Sequence, residues 1–101
     1  MRVKQFPEAK EEVQSAFNYY EDKSSGLGHD FLDELEKATK RIIRYPMMYP
    51  RVSESSDKRW IGLKRFPFKI IYEVFEDVLW IIALMQEKRK PFYWTERKWP
   101  E

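Results

Sequence analysis

"FKIIYEVFEDVLWIIALM", residues 68–85, contains two strands and the turn that joins them. In its first half Phe68, Ile70, Tyr72 and Val74 alternate with Lys69, Ile71, Glu73 and Phe75, the period-two pattern of a strand with distinct faces. Glu76 and Asp77 fit a two-residue turn. "VLWIIALM" then runs apolar on both faces, so it needs cover above and below and takes the central place in a sheet. Working outward, "KRWIGLK" (58–64) alternates as well: Ile61 and Leu63 point one way, Trp60, Gly62 and Lys64 the other. "RFP" turns the chain into the next strand. Residues 58–85 therefore read as a three-stranded antiparallel meander.

The N-terminal half has a different period. After a short strand in "MRVKQF", Pro7 opens a helix at the one position where its missing N–H is harmless. Ala9, Val13, Ala16, Phe17 and Tyr20 then recur at helical spacing, with Glu8, Glu11 and Glu12 near the positive end of the helix dipole. "KSSGLG" interrupts, and Gly26 and Gly28 give the backbone freedom for a tight connection that also contains His29. Phe31, Leu35, Ala38, Ile42 and Tyr45 form a second stripe, widened by Leu32 and Ile43 and ended by Pro46. Residues 45–57, "YPMMYPRVSESSD", carry no repeat and read as one long loop. The expected fold is α+β in the order β-α-α-β-β-β, an antiparallel sheet meander against a helical hairpin, in a single domain spanning 1–101.

Composition narrows the chemistry. The 101 residues include no cysteine and one histidine, which excludes disulfides and thiolate chemistry and leaves a zinc site short of its usual Cys and His ligands. The serines have no histidine obviously in reach, and no glycine-rich phosphate loop is present. The helix carboxylates fall at solvent-face spacing. No apolar run approaches the length of a membrane span and the N-terminus lacks a signal-peptide core, so the expectation is a cytoplasmic protein without cofactor or metal and with no membrane partner.

Net charge is only +2, but it is uneven. Residues 1–50 hold eight Lys or Arg against nine Asp or Glu, while residues 51–101 hold eleven against eight. The excess clusters at 58–69 and 88–98, where the chain leaves its buried strand into "KRKPFYWTERKW" (88–99). Arg59, Lys64, Arg65, Lys69, Arg89 and Lys90 line one concave surface if the meander gathers its strand ends. Cations with nearby rings suit an anionic or nucleic-acid partner. The same residues also serve as edge-strand protection and as a solvated tail over the core.

Two phrases make the chain resemble a known family: "RWIGLKRFPFKIIYEVFEDVLWIIALM" and the following R-x-P-x-Y-W-x-x-R of "RKPFYWTER". With the helical hairpin "FPEAKEEVQSAFNYYEDKSSGLGHDFLDELEKATKRIIRYPMMYP" ahead of them, residues 1–97 resemble the RelE/ParE family of bacterial toxins from type II toxin–antitoxin operons, the plasmid stabilisation proteins. The resemblance implies a cognate antitoxin as partner, with assembly through that complex. It also implies one of two targets. RelE-like members cleave mRNA in the ribosomal decoding site with Lys, Arg and Tyr side chains; ParE-like members bind and inhibit DNA gyrase.

Carried over by position, the RelE-like strand lysines fall at Trp60 and Gly62 and are missing. Lys69 stands for the next strand's arginine, Arg89 for the basic residue after the last strand and Tyr93 for the C-terminal tyrosine. Gln86 occupies the place where many ParE-like relatives have a histidine. The balance favours a ParE-like toxin that acts by binding. Its target-binding residues are then Arg59, Lys64, Arg65, Arg89, Lys90, Trp94 and Arg97, and its antitoxin anchors Phe17, Tyr20, Phe31 and Tyr45. The alternatives are a ribosome-dependent mRNA endonuclease using Lys69, Arg89 and Tyr93, and a non-toxic member that only binds its antitoxin.

Overall fold

A computed structural model describes residues 1–100. The elements run β1 (Arg2–Gln5), α1 (Pro7–Lys23), α2 (Leu27–Arg44), β2 (Arg59–Gly62), β3 (Phe68–Phe75) and β4 (Val78–Gln86). This is the expected α+β order, with Pro7 in the first turn of α1. Glu76 and Asp77 both adopt positive φ, 51° and 61°, the backbone a tight two-residue hairpin turn demands.

The sheet is mixed. Its strand order is β1-β4-β3-β2, and β1 pairs parallel with β4, Arg2 opposite Val78 and Gln5 opposite Ile81. The expected antiparallel meander is β2-β3-β4, and β1 adds a parallel edge to it. The helical hairpin returns the chain to the start of the sheet, so the first strand enters beside the last as a parallel neighbour.

Phe31 of α2 is fully buried and stacks edge-on against Phe66 and Phe68, which fixes the helix face of the sheet. Burying one such side chain contributes about 1.5–3 kcal/mol. Ile70, Tyr72 and Val74 share that face by alternation, and the Tyr72 hydroxyl donates to Pro46 O, 2.7 Å away, just beyond α2. The register slips between Ile71 and Tyr72, leaving Ile82 without a cross-strand partner. On the opposite face Ile71, Ala83 and Met85 are nonetheless buried.

Three local features differ from expectation, and the loop 45–57 remains a loop with an anchor of its own. Helix α2 starts at Leu27, so His29 lies in its first turn, edge-on to Phe17, and not in the preceding connection. Gly26 does turn the chain (φ 88°), but Gly28 is helical. A Cβ there would lie 2.8 Å from Phe17 O, so this glycine lets the two helices touch. The loop 45–57 holds a turn and an isolated bridge, Arg51 to Arg59, and is anchored at Tyr49 O by the Arg59 guanidinium at 2.6 Å. Finally, three helix carboxylates are structural. Glu21 accepts from Gly26 N (3.1 Å) and Gly28 N (2.8 Å), which satisfies orphan donors of α2 and lowers its carboxyl below the usual range. Glu34 is buried and accepts from Lys64 N, 3.3 Å. Glu12 accepts from Leu84 N, the Tyr93 hydroxyl and Arg97. No helix is long and apolar enough to cross a membrane.

Candidate functional site

Strand β1 is four residues long and covers β4 only as far as Ile81, whose carbonyl accepts from Phe6 N at 2.9 Å. Beyond it, the edge of β4 has no strand beside it. Glu12 of α1 and Arg97 of the tail take that place. Glu12 Oε1 accepts from Leu84 N at 3.1 Å, and Arg97 Nη1 donates to Ile82 O at 2.9 Å. The two side chains also form a bidentate pair: Arg97 Nη1 donates to Oε1 at 2.8 Å and Nη2 to Oε2 at 2.9 Å. Only 16% of the Glu12 side chain and 12% of the Arg97 side chain are exposed.

Tyr93 completes the junction. Its hydroxyl donates to Glu12 Oε2 at 2.6 Å, and burial, followed by that carboxylate, pushes the phenol up to about 12. The Arg89 guanidinium lies on the Tyr93 ring, 3.5 Å from its centroid, with Nη1 3.7 Å from Glu12 Oε2. Unlike Arg97, Arg89 is 53% exposed. It stands at the mouth of a groove of about 470 Å³, lined by Glu8, Glu11 and Tyr19 on α1 and by Phe68, Leu84 and Gln86 on the sheet. The tail then crosses to the far face of the sheet, where Trp99 meets Phe6, Trp80 and Phe75.

The residues expected at the target surface divide into three groups. Lys64, Arg65, Arg89 and Lys90 share one end of the sheet, because Gly62 pairs with Lys69, Phe68 with Gln86, and Glu87 N bonds to Pro67 O. Arg59 pairs with Tyr72 and lies at the other end, so it does not join them. Trp94 is buried and Arg97 is committed to Glu12 and β4, so both hold the tail and neither offers a contact surface. The Trp94 indole N–H has no acceptor among the described residues.

The trio Lys69, Arg89 and Tyr93 is not assembled. Lys69 alternates with Phe68, so it leaves the opposite sheet face, where its amine sits 4.4 Å over the Trp60 ring. Tyr93 is bound to Glu12 on the helix side. Among the expected antitoxin anchors, Phe31 is core, and Tyr20 packs against Phe31, Phe66 and Phe68. Phe17 lies half-buried under Gly28 and His29, and only Tyr45 is exposed. Among the described residues no cluster of His, Cys, Asp or Glu could hold a metal ion.

Sequence reasoning missed Glu12, although a signal for it exists. Positions 9, 12 and 16 fall on one helical stripe, and Ala9 and Ala16 are buried. A carboxylate inside a buried stripe needs a cationic or donor-rich partner.

A family model described as "ParE toxin of type II toxin-antitoxin system, parDE" matches residues 3–91. No curated protein matches the chain. Among solved structures, one titled a chromosomal ParDE toxin–antitoxin system from P. aeruginosa superposes with a TM-score of 0.73 at 17% identity, covering 85% of this chain and 95% of that one. The isolated E. coli RelE toxin superposes with a TM-score of 0.54 at 15% identity, covering 91% of this chain and 89% of that one. At such identities the two superpositions show a shared fold.

Proposed function

The chain belongs to the ParE toxin family of type II toxin–antitoxin systems, and from that premise we propose that it arrests growth by binding an essential cytoplasmic target of the DNA gyrase type. The contact surface is the basic end of the sheet, centred on Arg89. One observation carries this reading over RNA cleavage: the side chains that would move protons lie apart. A ribonuclease site needs its proton acceptor, oxyanion donor and leaving-group acid around one phosphate. Here Lys69 sits over the Trp60 ring on the sheet face away from the helices, Tyr93 of the tail is bound to Glu12 of α1, and the phenol that would serve as the acid is thus held by a carboxylate.

Arg89 fits a binding role. Its guanidinium is oriented by the Tyr93 ring yet remains exposed, and it can grip a phosphate or carboxylate with two parallel hydrogen bonds. Lys64 and Lys90 add charge around it, and Arg65, 3.8 Å from Asp30 and over the Phe66 ring, adds a partly compensated one. An acidic antitoxin that holds the toxin in an oligomeric complex completes the proposal.

Two assays on the purified chain test it. Supercoiling by gyrase should be inhibited as the protein is added, and ribosome-bound message should remain uncut in primer extension. Codon-positioned cleavage with supercoiling untouched would overturn the proposal in favour of the RelE-like activity.

A further inference from the structure

The groove at whose mouth Arg89 stands has a second wall of opposite charge. Helix α1 runs along it and presents Glu8, Glu11, Ser15 and Tyr19 at helical spacing. Between Glu8 and Tyr19 the helix rises about 16 Å, long enough for several residues of a docked chain. Ala16, Phe68 and Leu84 give the groove an apolar floor. Gln86 and Arg89, where β4 ends, form the facing wall.

Its charges fall into two classes. Glu12 and Arg97 satisfy one another and are mostly buried, so neither is available to a ligand. Glu8 and Glu11 have no Lys, Arg or His within ion-pair distance among the described residues. Glu11, Ser15 and Tyr19 are exposed, and Arg89 keeps one side in solvent while the other lies on the Tyr93 ring.

This pattern selects the partner. The groove holds three carboxylates against two guanidiniums, so a run of phosphates entering it would meet net repulsion. Two free carboxylates, an apolar floor and one free guanidinium instead complement a polypeptide that carries both signs of charge.

We propose that this groove receives a polypeptide segment of the toxin's target. The segment sets a Lys or Arg beside Glu8 and Glu11, an apolar side chain on the floor and a carboxylate on Arg89. Arg89 thereby grips a protein carboxylate and not a nucleic-acid phosphate. The inference rests on the reading of the chain as a toxin that acts by binding, and it adds Glu8, Glu11 and Ser15 to the contact surface.

Three variants of the full chain test it, in gyrase supercoiling and in growth arrest on expression, with melting curves to confirm that each is folded. Ser15→Trp fills the groove from the exposed side of α1 without touching a charge, and should weaken inhibition at least about tenfold. Glu8→Gln with Glu11→Gln should weaken it about tenfold, and Glu8→Lys with Glu11→Lys about a hundredfold. A groove built for phosphates would respond with the opposite sign: the lysine pair would tighten inhibition and retard a DNA duplex in a gel, and the inference would fall. Full inhibition by folded Ser15→Trp and lysine variants would overturn it too. So would intact inhibition that the product of the adjoining reading frame no longer neutralises, because the groove would then belong to the antitoxin. If the wild-type chain arrests growth but leaves gyrase untouched, the gyrase reading falls, and arrest by the same variants decides the groove. A wild-type chain that does not arrest growth overturns the toxin reading itself.

Discussion

Replacing Glu12 by alanine removes the acceptor for Leu84 N, the Tyr93 hydroxyl and both Arg97 donors at once. Arg97 would keep only Ile82 O, with its charge still mostly out of water. Breaking one side of a buried ion pair costs about 3–5 kcal/mol. Since both side chains keep some exposure, the low end applies, and we expect Glu12→Ala to destabilise the fold by about 3 kcal/mol. In a domain of this size that lowers the melting temperature by about 12–20 °C. Glu12→Gln keeps one acceptor oxygen but turns an amide donor toward Arg97 or Tyr93, so it should lose about 2 kcal/mol. Thermal unfolding followed by circular dichroism reads both values. Glu11→Ala, one residue away and exposed, is the control and should stay within about 0.5 kcal/mol. Adding Arg97→Met to Glu12→Ala should recover part of the loss, because the orphaned charge is gone. Equal melting curves for Glu11→Ala and Glu12→Ala would refute the junction as the clamp of the tail.

Further outcomes follow from single contacts. Gly28→Ala places a methyl against Phe17 O and its ring, so the hairpin must spread; a loss of about 1–3 kcal/mol in denaturant unfolding is expected. Trp94→Ala should cost about 3–5 kcal/mol, whereas Trp94→Phe should be much milder, because the indole N–H it removes has no acceptor. Alkaline titration should show Tyr72 and Tyr93 ionising last, both being pushed up to about 12 chiefly by burial. Their folded values lie above the unfolded one near 10, so the unfolded chain loses these protons first. The stability they contribute is complete below pH 10 and drains away as pH rises toward 12, and urea midpoints across that window should fall accordingly.

The elements were legible where periodicity speaks. Both helices, the Glu76–Asp77 turn and the central place of β4 follow from spacing and turn chemistry alone. The parallel entry of β1 was not, because four half-polar residues carry no mark of which edge they join. Residue types singled out Arg89 as a candidate contact residue, and the structure leaves its side chain 53% exposed. They could not separate it from Arg97, since the difference lies in Glu12, 85 residues earlier in the chain. Arg59 was misplaced for a related reason: the meander puts its basic residues at alternate ends of the sheet, and only the register shows which end. The family match resolves the fold and the toxin class, while the separation of the buried strut from the exposed cation came from side-chain geometry.

The most direct test of the account compares wild-type protein with Arg89→Ala in a gyrase supercoiling assay. Arg89 lies outside the bidentate Glu12–Arg97 pair and is largely exposed, so its removal should leave the melting temperature nearly unchanged. Inhibition should weaken by at least about tenfold, with Arg89→Lys recovering only part of it. Undiminished inhibition by a fully folded Arg89→Ala variant would contradict it.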